Sequence, residues 1–323
     1  MKYIRHFHEN YQKIKLLGGK GLNLVKLFNE RFNVPPGFIL TTEAYKDFMN
    51  KSEHKEKLSN LISKDIQPKN VLSDSQKIQN LILDSEIPIE IINEIKKAYI
   101  KINEHLEGYK RFAVRSSATI EDSQMASFAG QADTYLFRES LEEILFSIKK
   151  CWASLYSPRS ILYIIQLNKM GKNISLDQVY MAIIVQEMIR SDISGVLFTA
   201  NVLNNDRDQI LINSCWGLGE ALANNIVIPD TIILDKNSSQ VVRQIIGKKE
   251  RMAVPDIEHS CTKITKTRQH LRNDLCLTDE QIKNLHRCAV DIESLYEYPQ
   301  DIEWAIKDDE IFILQTRPIT TLN

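Results

Sequence analysis

Apolar residues follow two different spacings along this chain, and the change falls near residue 110. Before it, Leu, Val and Ile recur at helical spacing, which predicts a helix over 22–31 and a helical layer with solvated outer faces over 50–108. After it, the spacing becomes alternating or continuous, which is typical of strands. The predicted strands are RFAVR, ADTYLF, YMAIIVQEM, SGVLFTA, QILINS and DTIILD.

The segment VPPGFILTTEAYKDFM predicts an earlier strand followed by a helix capped at Thr41 or Thr42, and further helices are predicted among and after the later strands. One helical block covers roughly 139–168, and a helix over 278–296 begins at a Thr278 cap with Glu280 in its first turn. Many short strands without a regular βαβ alternation predict an α+β fold with mainly antiparallel sheet. Because the sequence shows no repeat and no low-complexity linker, we expect one compact unit with lobes.

The closing segment DIEWAI…EIFILQTR predicts a hairpin with polar groups at the ends of two apolar strands. Alternation places Asp301 and Glu303 on one face, and Gln315 and Arg317 on the face of Ile311 and Ile313. A two-residue loop at residues 308–309 would throw the two polar sets onto opposite faces. A three-residue loop would set Glu303 opposite Gln315 and Asp301 opposite Arg317, so we expect an odd loop or an equivalent bulge.

On that register, the hairpin would gather two carboxylates, an amide oxygen and a guanidinium. Carboxylate and amide oxygens suit Mg²⁺, which is usually shared with substrate phosphates. Arg317 could then stabilise charge on a transferring phosphoryl group. The alternative is an ion-pair network on an edge hairpin.

Two earlier segments carry cations beside small residues. Lys20 lies in GGKG ahead of a helix, where glycines would let an anion approach the backbone; the alternative is a glycine turn with a solvated lysine. Arg115 ends a strand, and its guanidinium with the Ser116 and Ser117 hydroxyls could form a cradle for phosphate oxygens. A small-residue loop follows to Gly130. That loop could fold over a polyphosphate, or could be a surface loop with one structural arginine.

Two further segments could meet a ligand. The apolar strand over 180–189 ends in Gln186, Glu187 and Met188, where an adenine ring could pair with the backbone, although a buried core strand is the simpler interpretation. Glu220 follows two glycines and opens a predicted helix, either at a ligand turn or as an ordinary first-turn acid.

The balance of 41 Lys+Arg against 42 Asp+Glu leaves no global field that would attract nucleic acid or an anionic membrane. The N-terminus carries charges where a signal peptide would be apolar, and no apolar run is long enough to span a bilayer. Five cysteines without paired metal spacing indicate a reducing compartment. We therefore expect a cytoplasmic protein without nucleic-acid or membrane partners.

Taken together, six motifs resemble the ATP-binding domain of the phosphoenolpyruvate synthase and pyruvate phosphate dikinase family, which includes rifampin phosphotransferases. The resemblance spans Gly18 to Thr320. It is carried by GGKGLNL, VPPGFILTTEAY, FAVRSSATIEDSQMASFAGQADTYL, ISGVLFTAN, LINSCWGLGEALANNIVIPD and DIEWAI…IFILQTRPIT.

The resemblance implies an ATP-grasp fold for the whole chain, with ATP between lobes of about 1–180 and 181–323. It assigns phosphate binding to Lys20 and Arg115, adenine contact to Gln186–Met188 and Mg²⁺ to Glu303 and Gln315. Asp301 and Arg317 would act at the reacting phosphates, and the loop to Gly130 would cover the triphosphate.

Relatives of this kind pyrophosphorylate a histidine on a separate swivelling domain, release AMP and phosphate, and pass the remaining phosphoryl group to an acceptor domain. None of the seven histidines in this sequence has the Thr/Ser-His-Ala-like context of that carrier. We therefore expect ATP and Mg²⁺ to be used with a carrier histidine on another chain or on a missing remainder. The alternatives are a self-sufficient ATP-grasp kinase or ligase that makes ADP, and an ATP sensor without turnover.

Overall fold

The computed structural model shows an α+β fold and describes residues 1–11, 13–62, 66–105, 110–119, 134–171 and 174–322. The chain divides into two compact units. The first unit comprises Met1–Lys26 and Pro36–Met188, and the second comprises Leu27–Pro35 and Ile189–Asn323. The predicted mixture of helices with antiparallel strands is confirmed.

A five-stranded antiparallel sheet forms the centre of the first unit, in the order β1-β2-β5-β3-β4. Its strands are β1 (Ile4–His6), β2 (Gly37–Leu40), β3 (Phe112–Ala118), β4 (Thr134–Arg138) and β5 (Met181–Glu187). Because successive side chains alternate between faces, Phe38, Val114 and Val185 lie on the face that joins the main hydrophobic core.

Helices cover that core face and supply its largest side chains. Trp152 is fully buried and its ring centroid lies 4.7 Å from that of Phe48. These helices are α2 (Thr42–Lys51), α3 (Lys55–Ile62), α4 (Val71–Asp84), α5 (Ile89–His105), α6 (Leu141–Ser154) and α7 (Pro158–Lys169), with 3₁₀ turns at Pro68–Asn70 and Leu176–Gln178. Helix α1 (Ile14–Asn29) lies instead against the opposite face of the sheet, next to Ile39 and Ser117.

The helical block predicted over 139–168 is two helices with a break between them. A capping box of Ser140 and Glu143 starts α6, and the Ser157 side chain caps α7, whose first residue is Pro158. Proline is tolerated in the first turn of a helix but not in its interior. Pro158 therefore begins a new helix and does not continue α6.

The second unit contains a six-stranded antiparallel sheet in the order β13-β12-β6-β7-β8-β9 and a separate hairpin, β10-β11. The strands are β6 (Ile193–Phe198), β7 (Gln209–Trp216), β8 (Asp230–Asp235), β9 (Val241–Ile245), β10 (Arg251–Asp256), β11 (Cys261–Lys266), β12 (Gln300–Lys307) and β13 (Glu310–Pro318). Three helices, α8 (Glu220–Ala223), α9 (Gln269–Asn273) and α10 (Asp279–Tyr296), accompany them.

The predicted Thr278 cap is confirmed, since its side chain accepts from the Gln281 backbone and Gln281 returns the bond. Helix α10 then packs against β12. On the outer edge of the sheet, the Ile313 backbone N–H donates to the Asn33 carbonyl at 2.9 Å. None of the helices in the described ranges is long and apolar enough for a membrane span.

Candidate functional site

The closing hairpin adopts the register that the polar pattern predicted. Asp301 lies opposite Arg317, and Glu303 lies opposite Gln315. The turn itself is the two-residue one, Asp308 and Asp309, and the register shifts between Glu303 and Trp304. A bulge therefore achieves what a three-residue loop would have done, and the expected pairing is confirmed.

The bulge also changes which residues share a face of β13. Ile313 lies opposite Trp304, whereas Gln315 lies opposite Glu303, so Leu314 is the extra residue between them. Opposed residues point to the same side of a sheet, and neighbours on β12 point to opposite sides. The expectation that Gln315 and Arg317 share the face of Ile313 is therefore wrong, because the bulge reverses the alternation.

Asp301 and Arg317 form a close ion pair at the end of the hairpin. Arg317 Nε donates to Asp301 Oδ2 at 2.8 Å, and Nη2 lies 2.7 Å from the same oxygen. Burial raises the pKa of Asp301 above its usual range, Arg317 opposes that shift, and the charge of Glu303 adds to it. The Arg317 guanidinium is thus held beside a desolvated carboxyl. The Arg317 side chain itself is 36% exposed.

The oxygen ligands on this face fit a nucleotide-bound Mg²⁺. Asp301, Glu303 and Gln315 supply carboxylate and amide oxygens on two adjacent strands. Over the described ranges, no three or more His, Cys, Asp or Glu side chains are grouped to hold a metal ion. Mg²⁺ commonly takes one or two protein carboxylates and completes its shell with phosphates and water, so the donor set suits a shared ion.

In the first unit, a glycine break positions Lys20. Helix α1 is interrupted at Gly18, whose φ of 69° is in the left-handed region and whose ψ is 175°. A Cβ there would lie 2.2 Å from the Ser117 carbonyl oxygen, so only glycine fits. Lys20 then lies in the first turn after the break, and its Nζ donates to the Ser116 carbonyl at 3.2 Å.

Ser117 ties this glycine break to β3. Its buried hydroxyl donates to the Leu17 carbonyl at 2.9 Å and accepts from the Gly21 backbone N–H at 3.0 Å. The hydroxyl was predicted to contact phosphate, but both of these bonds are made within the chain. Lys20 and Arg115 consequently belong to segments that this one side chain holds together.

Ser116 points the other way. Alternation places it with Phe112 and Val114 on the core face of β3, and its hydroxyl is buried without a hydrogen-bond partner among the described residues. Arg115 and Ser117 share the opposite face. The structure therefore does not bring the Ser116 hydroxyl to Arg115.

The end of β5 lies in the middle of the same sheet. Gln186 pairs with Gly37 on one side and Ala113 on the other, and it is almost fully buried. Burial raises the pKa of Glu187. Both Glu187 and Met188 donate their backbone N–H groups to neighbouring segments, at 2.8 Å in each case.

Glu220 opens the short helix α8 in the second unit. Its carboxylate accepts a hydrogen bond from the Thr262 hydroxyl of β11, and burial raises its pKa. Gly130 and most of the loop predicted to cover a triphosphate lie outside the described residues. The structure thus gathers Lys20, Arg115 and Ser117 in the first unit, and Asp301, Glu303, Gln315 and Arg317 in the second.

Sequence comparison gives one family profile and several relatives. The profile described as pyruvate phosphate dikinase, AMP/ATP-binding domain, matches residues 14–323. The chain is 36% identical over 364 residues to phosphoenolpyruvate synthase of Pyrococcus furiosus, covering 99% of this chain and 44% of that protein. It is also 36% identical over 310 residues to rifampicin phosphotransferase of Bacillus cereus, covering 95% of this chain and 34% of that protein.

The chain spans less than half the length of these curated relatives. Among solved structures, a D-alanine–D-alanine ligase from Bacillus anthracis aligns with a TM-score of 0.32 and 7% identity, covering 94% of this chain and 60% of that one.

Proposed function

The chain belongs to the pyruvate phosphate dikinase AMP/ATP-binding domain family, and from that premise we propose that it is the ATP-cleaving part of a phosphohistidine relay. It would bind ATP with Mg²⁺ and deliver phosphoryl groups to a carrier histidine on another domain or chain. The observation that carries this proposal is the bulged hairpin, which puts Asp301 opposite Arg317 and Glu303 opposite Gln315.

The hairpin would act at the reacting end of the nucleotide. Glu303, Gln315 and Asp301 would hold Mg²⁺, which when bound neutralises charge on the phosphate oxygens. Arg317, already beside Asp301, would stabilise the charge that develops on the transferring group. Because the Asp301 carboxylate accepts a hydrogen bond from Arg317, it would orient the Arg317 guanidinium toward the phosphates.

The first unit would hold the rest of the nucleotide. Lys20 and Arg115 would contact phosphate oxygens, and Ser117 would keep their two segments together. The adenine ring would meet Gln186, Glu187 and Met188. The assignments of Gly130 to the phosphates and of Glu220 to the nucleotide are proposals of the same kind, whereas the Ser116 hydroxyl lies on the core face of β3 and is not assigned to the phosphates.

The relay requires a histidine that this sequence does not carry in a carrier-like context. In relatives more than twice as long, the chain matches 44% or less of the protein, which leaves room for a carrier and an acceptor domain. The names of those relatives, phosphoenolpyruvate synthase and rifampicin phosphotransferase, give two different acceptor classes. We therefore propose the relay step and leave the acceptor unassigned.

The nucleotide product tests the relay directly. The chain is mixed with ATP, Mg²⁺ and the isolated histidine domain of a matched phosphoenolpyruvate synthase, and products are separated by chromatography. The relay predicts AMP, inorganic phosphate and an acid-labile phosphoprotein. ADP formed without the histidine domain would instead identify a self-sufficient kinase or ligase.

A further inference from the structure

Three buried polar side chains lie directly behind the Asp301–Arg317 pair. Thr199 follows β6, Gln300 begins β12 and Thr316 lies in β13, and all three are fully buried. None of them was singled out by the sequence pattern. We call this set the Thr–Gln–Thr brace.

Hydrogen bonds join the brace across three adjacent strands. Thr316 Oγ1 donates to Gln300 Oε1 at 2.8 Å. The Gln300 backbone N–H donates to Thr199 Oγ1 at 2.8 Å, and the Thr199 N–H donates to the Gln300 carbonyl at 2.9 Å. Gln300 Nε2 also donates to the Tyr298 carbonyl at 3.1 Å, so the amide group is engaged on both of its atoms.

The brace is adjacent in sequence to the groups proposed to act on ATP. Gln300 precedes Asp301, and Thr316 separates Gln315 from Arg317. Because neighbouring residues of a strand point to opposite faces, the Thr316 side chain lies behind the sheet while those of Gln315 and Arg317 lie in front. The brace thus fixes the two strand ends from the side that the nucleotide would not reach.

The members of this network depend on one another, because removal of one side chain leaves its buried hydrogen-bond partner unsatisfied. Loss of the Thr316 hydroxyl would leave Gln300 Oε1 without its donor in a fully buried position. The Gln300 side chain would then have to move, and Asp301 follows it directly in the chain. The Leu314 bulge, where the register of β12 and β13 shifts, lies only two residues before Thr316.

We propose that Thr199, Gln300 and Thr316 are positioning residues that hold Arg317 against Asp301 and keep Gln315 opposite Glu303. This inference rests on the proposed function for its catalytic consequence. Its structural part, the geometry of the ion pair, stands independently of any reaction.

The first test observes the ion pair without ATP. In ¹⁵N-labelled protein, the Arg317 Nε–H resonance is assigned by its absence from Arg317→Lys, and its exchange with solvent is measured. We expect exchange to be at least about tenfold faster in Thr316→Val and within about twofold of the wild type in Thr316→Ser, which keeps the hydroxyl. Thr199→Val provides a second variant if Thr316→Val does not fold.

A matched control separates positioning from general loss of stability. Ile292→Val shortens a fully buried side chain of α10, and should lower the melting temperature without changing Arg317 exchange. Unchanged exchange in Thr316→Val, or equal acceleration in Ile292→Val at a similar melting temperature, would overturn the proposal.

The second test measures turnover in the histidine-domain assay together with ATP affinity by calorimetry. We expect Thr316→Val to lower kcat at least about tenfold with the ATP Kd within about twofold, and Thr316→Ser to restore kcat. A loss of kcat that Thr316→Ser does not restore would contradict a hydroxyl-based brace. If the wild type makes no AMP, the proposed function fails, and Arg317 exchange still decides the brace.

Discussion

At the residue scale, two neighbouring serines have opposite roles that their adjacency hides. The Ser117 hydroxyl makes two hydrogen bonds that join α1 to β3, whereas the Ser116 hydroxyl is buried without a partner among the described residues. Strand alternation predicts that they point to opposite faces, but only the fold shows that the glycine break lies on the side of Ser117. The sequence therefore predicts the glycine turn that carries Lys20. It does not predict that the Ser117 hydroxyl holds this turn against β3.

Ser117→Ala should destabilise the protein by about 1–3 kcal/mol, because it leaves the buried Leu17 carbonyl and Gly21 N–H unsatisfied. Ser116→Ala is the matched control and should change the free energy of unfolding by less than about 0.5 kcal/mol, or stabilise the protein slightly. Urea denaturation measures both. Equal losses in the two variants would contradict the assigned roles.

The Asp301–Arg317 pair should give a pH-dependent stability difference. A carboxyl with a raised folded pKa holds its proton more tightly in the folded state, so its ionisation costs stability as the pH rises through that interval. Arg317→Gln removes the charge that opposes this shift. We expect this substitution to lower the free energy of unfolding by about 2 kcal/mol at pH 7. That loss is smaller than for a fully buried ion pair, because the Arg317 side chain is 36% exposed.

The loss in Arg317→Gln should shrink as the pH falls through the raised pKa of Asp301, since the protonated carboxyl no longer needs the guanidinium. Thermal or urea unfolding between pH 4 and 8 follows this change. When Asp301 is already changed to Asn, the same Arg317→Gln substitution should lower the free energy of unfolding by an amount that does not vary with pH. A deficit that stays constant across this range would show that Asp301 does not titrate as described.

At the element scale, strand and helix positions follow well from the sequence because each element buries one face. The six predicted strands after residue 110 correspond to β3–β8, and the predicted last helix corresponds to α10. The strands β1, β9, β10 and β11 were not predicted. β9 and β11 have mostly exposed residues, so burial leaves little periodic signal in them.

The hairpin shows where such prediction ends. The sequence pattern leads to the correct opposed pairs, but it cannot distinguish an odd loop from a bulge, since Leu314 is an ordinary strand residue. The structure uses Asp308 and Asp309 for a two-residue turn, with φ values of 49° and 64°. Two-residue hairpin turns favour this left-handed backbone, and aspartate tolerates it better than most residues.

Engineered cysteines can test the register. With exposed Cys261 changed to Ser, the pair Lys307→Cys and Glu310→Cys should form a disulfide, because these residues are directly opposed. The pair Lys307→Cys and Ile311→Cys should not, because its side chains point to opposite faces. Mass spectrometry after thiol alkylation reads the outcome. Cross-linking of the second pair alone would instead support a three-residue loop.

At the scale of the whole molecule, the two units are not continuous in sequence. Residues 27–35 belong to the second unit, where the Asn33 side chain donates to the Ile311 carbonyl at 2.9 Å across a separation of 278 residues. No local pattern indicates a contact of that range. Family membership was predictable because six motifs keep their order, and the matched profile over residues 14–323 confirms it.

The proposed chemistry depends on one arginine most directly. In the histidine-domain assay, Arg317→Ala should lower AMP formation by about 3 kcal/mol or more in transition-state free energy, a factor of about 10² or greater. ATP affinity measured by calorimetry should stay within about threefold, because the charge contact forms mainly during transfer. An equal loss of affinity and rate would contradict this account and make Arg317 a ground-state phosphate clamp.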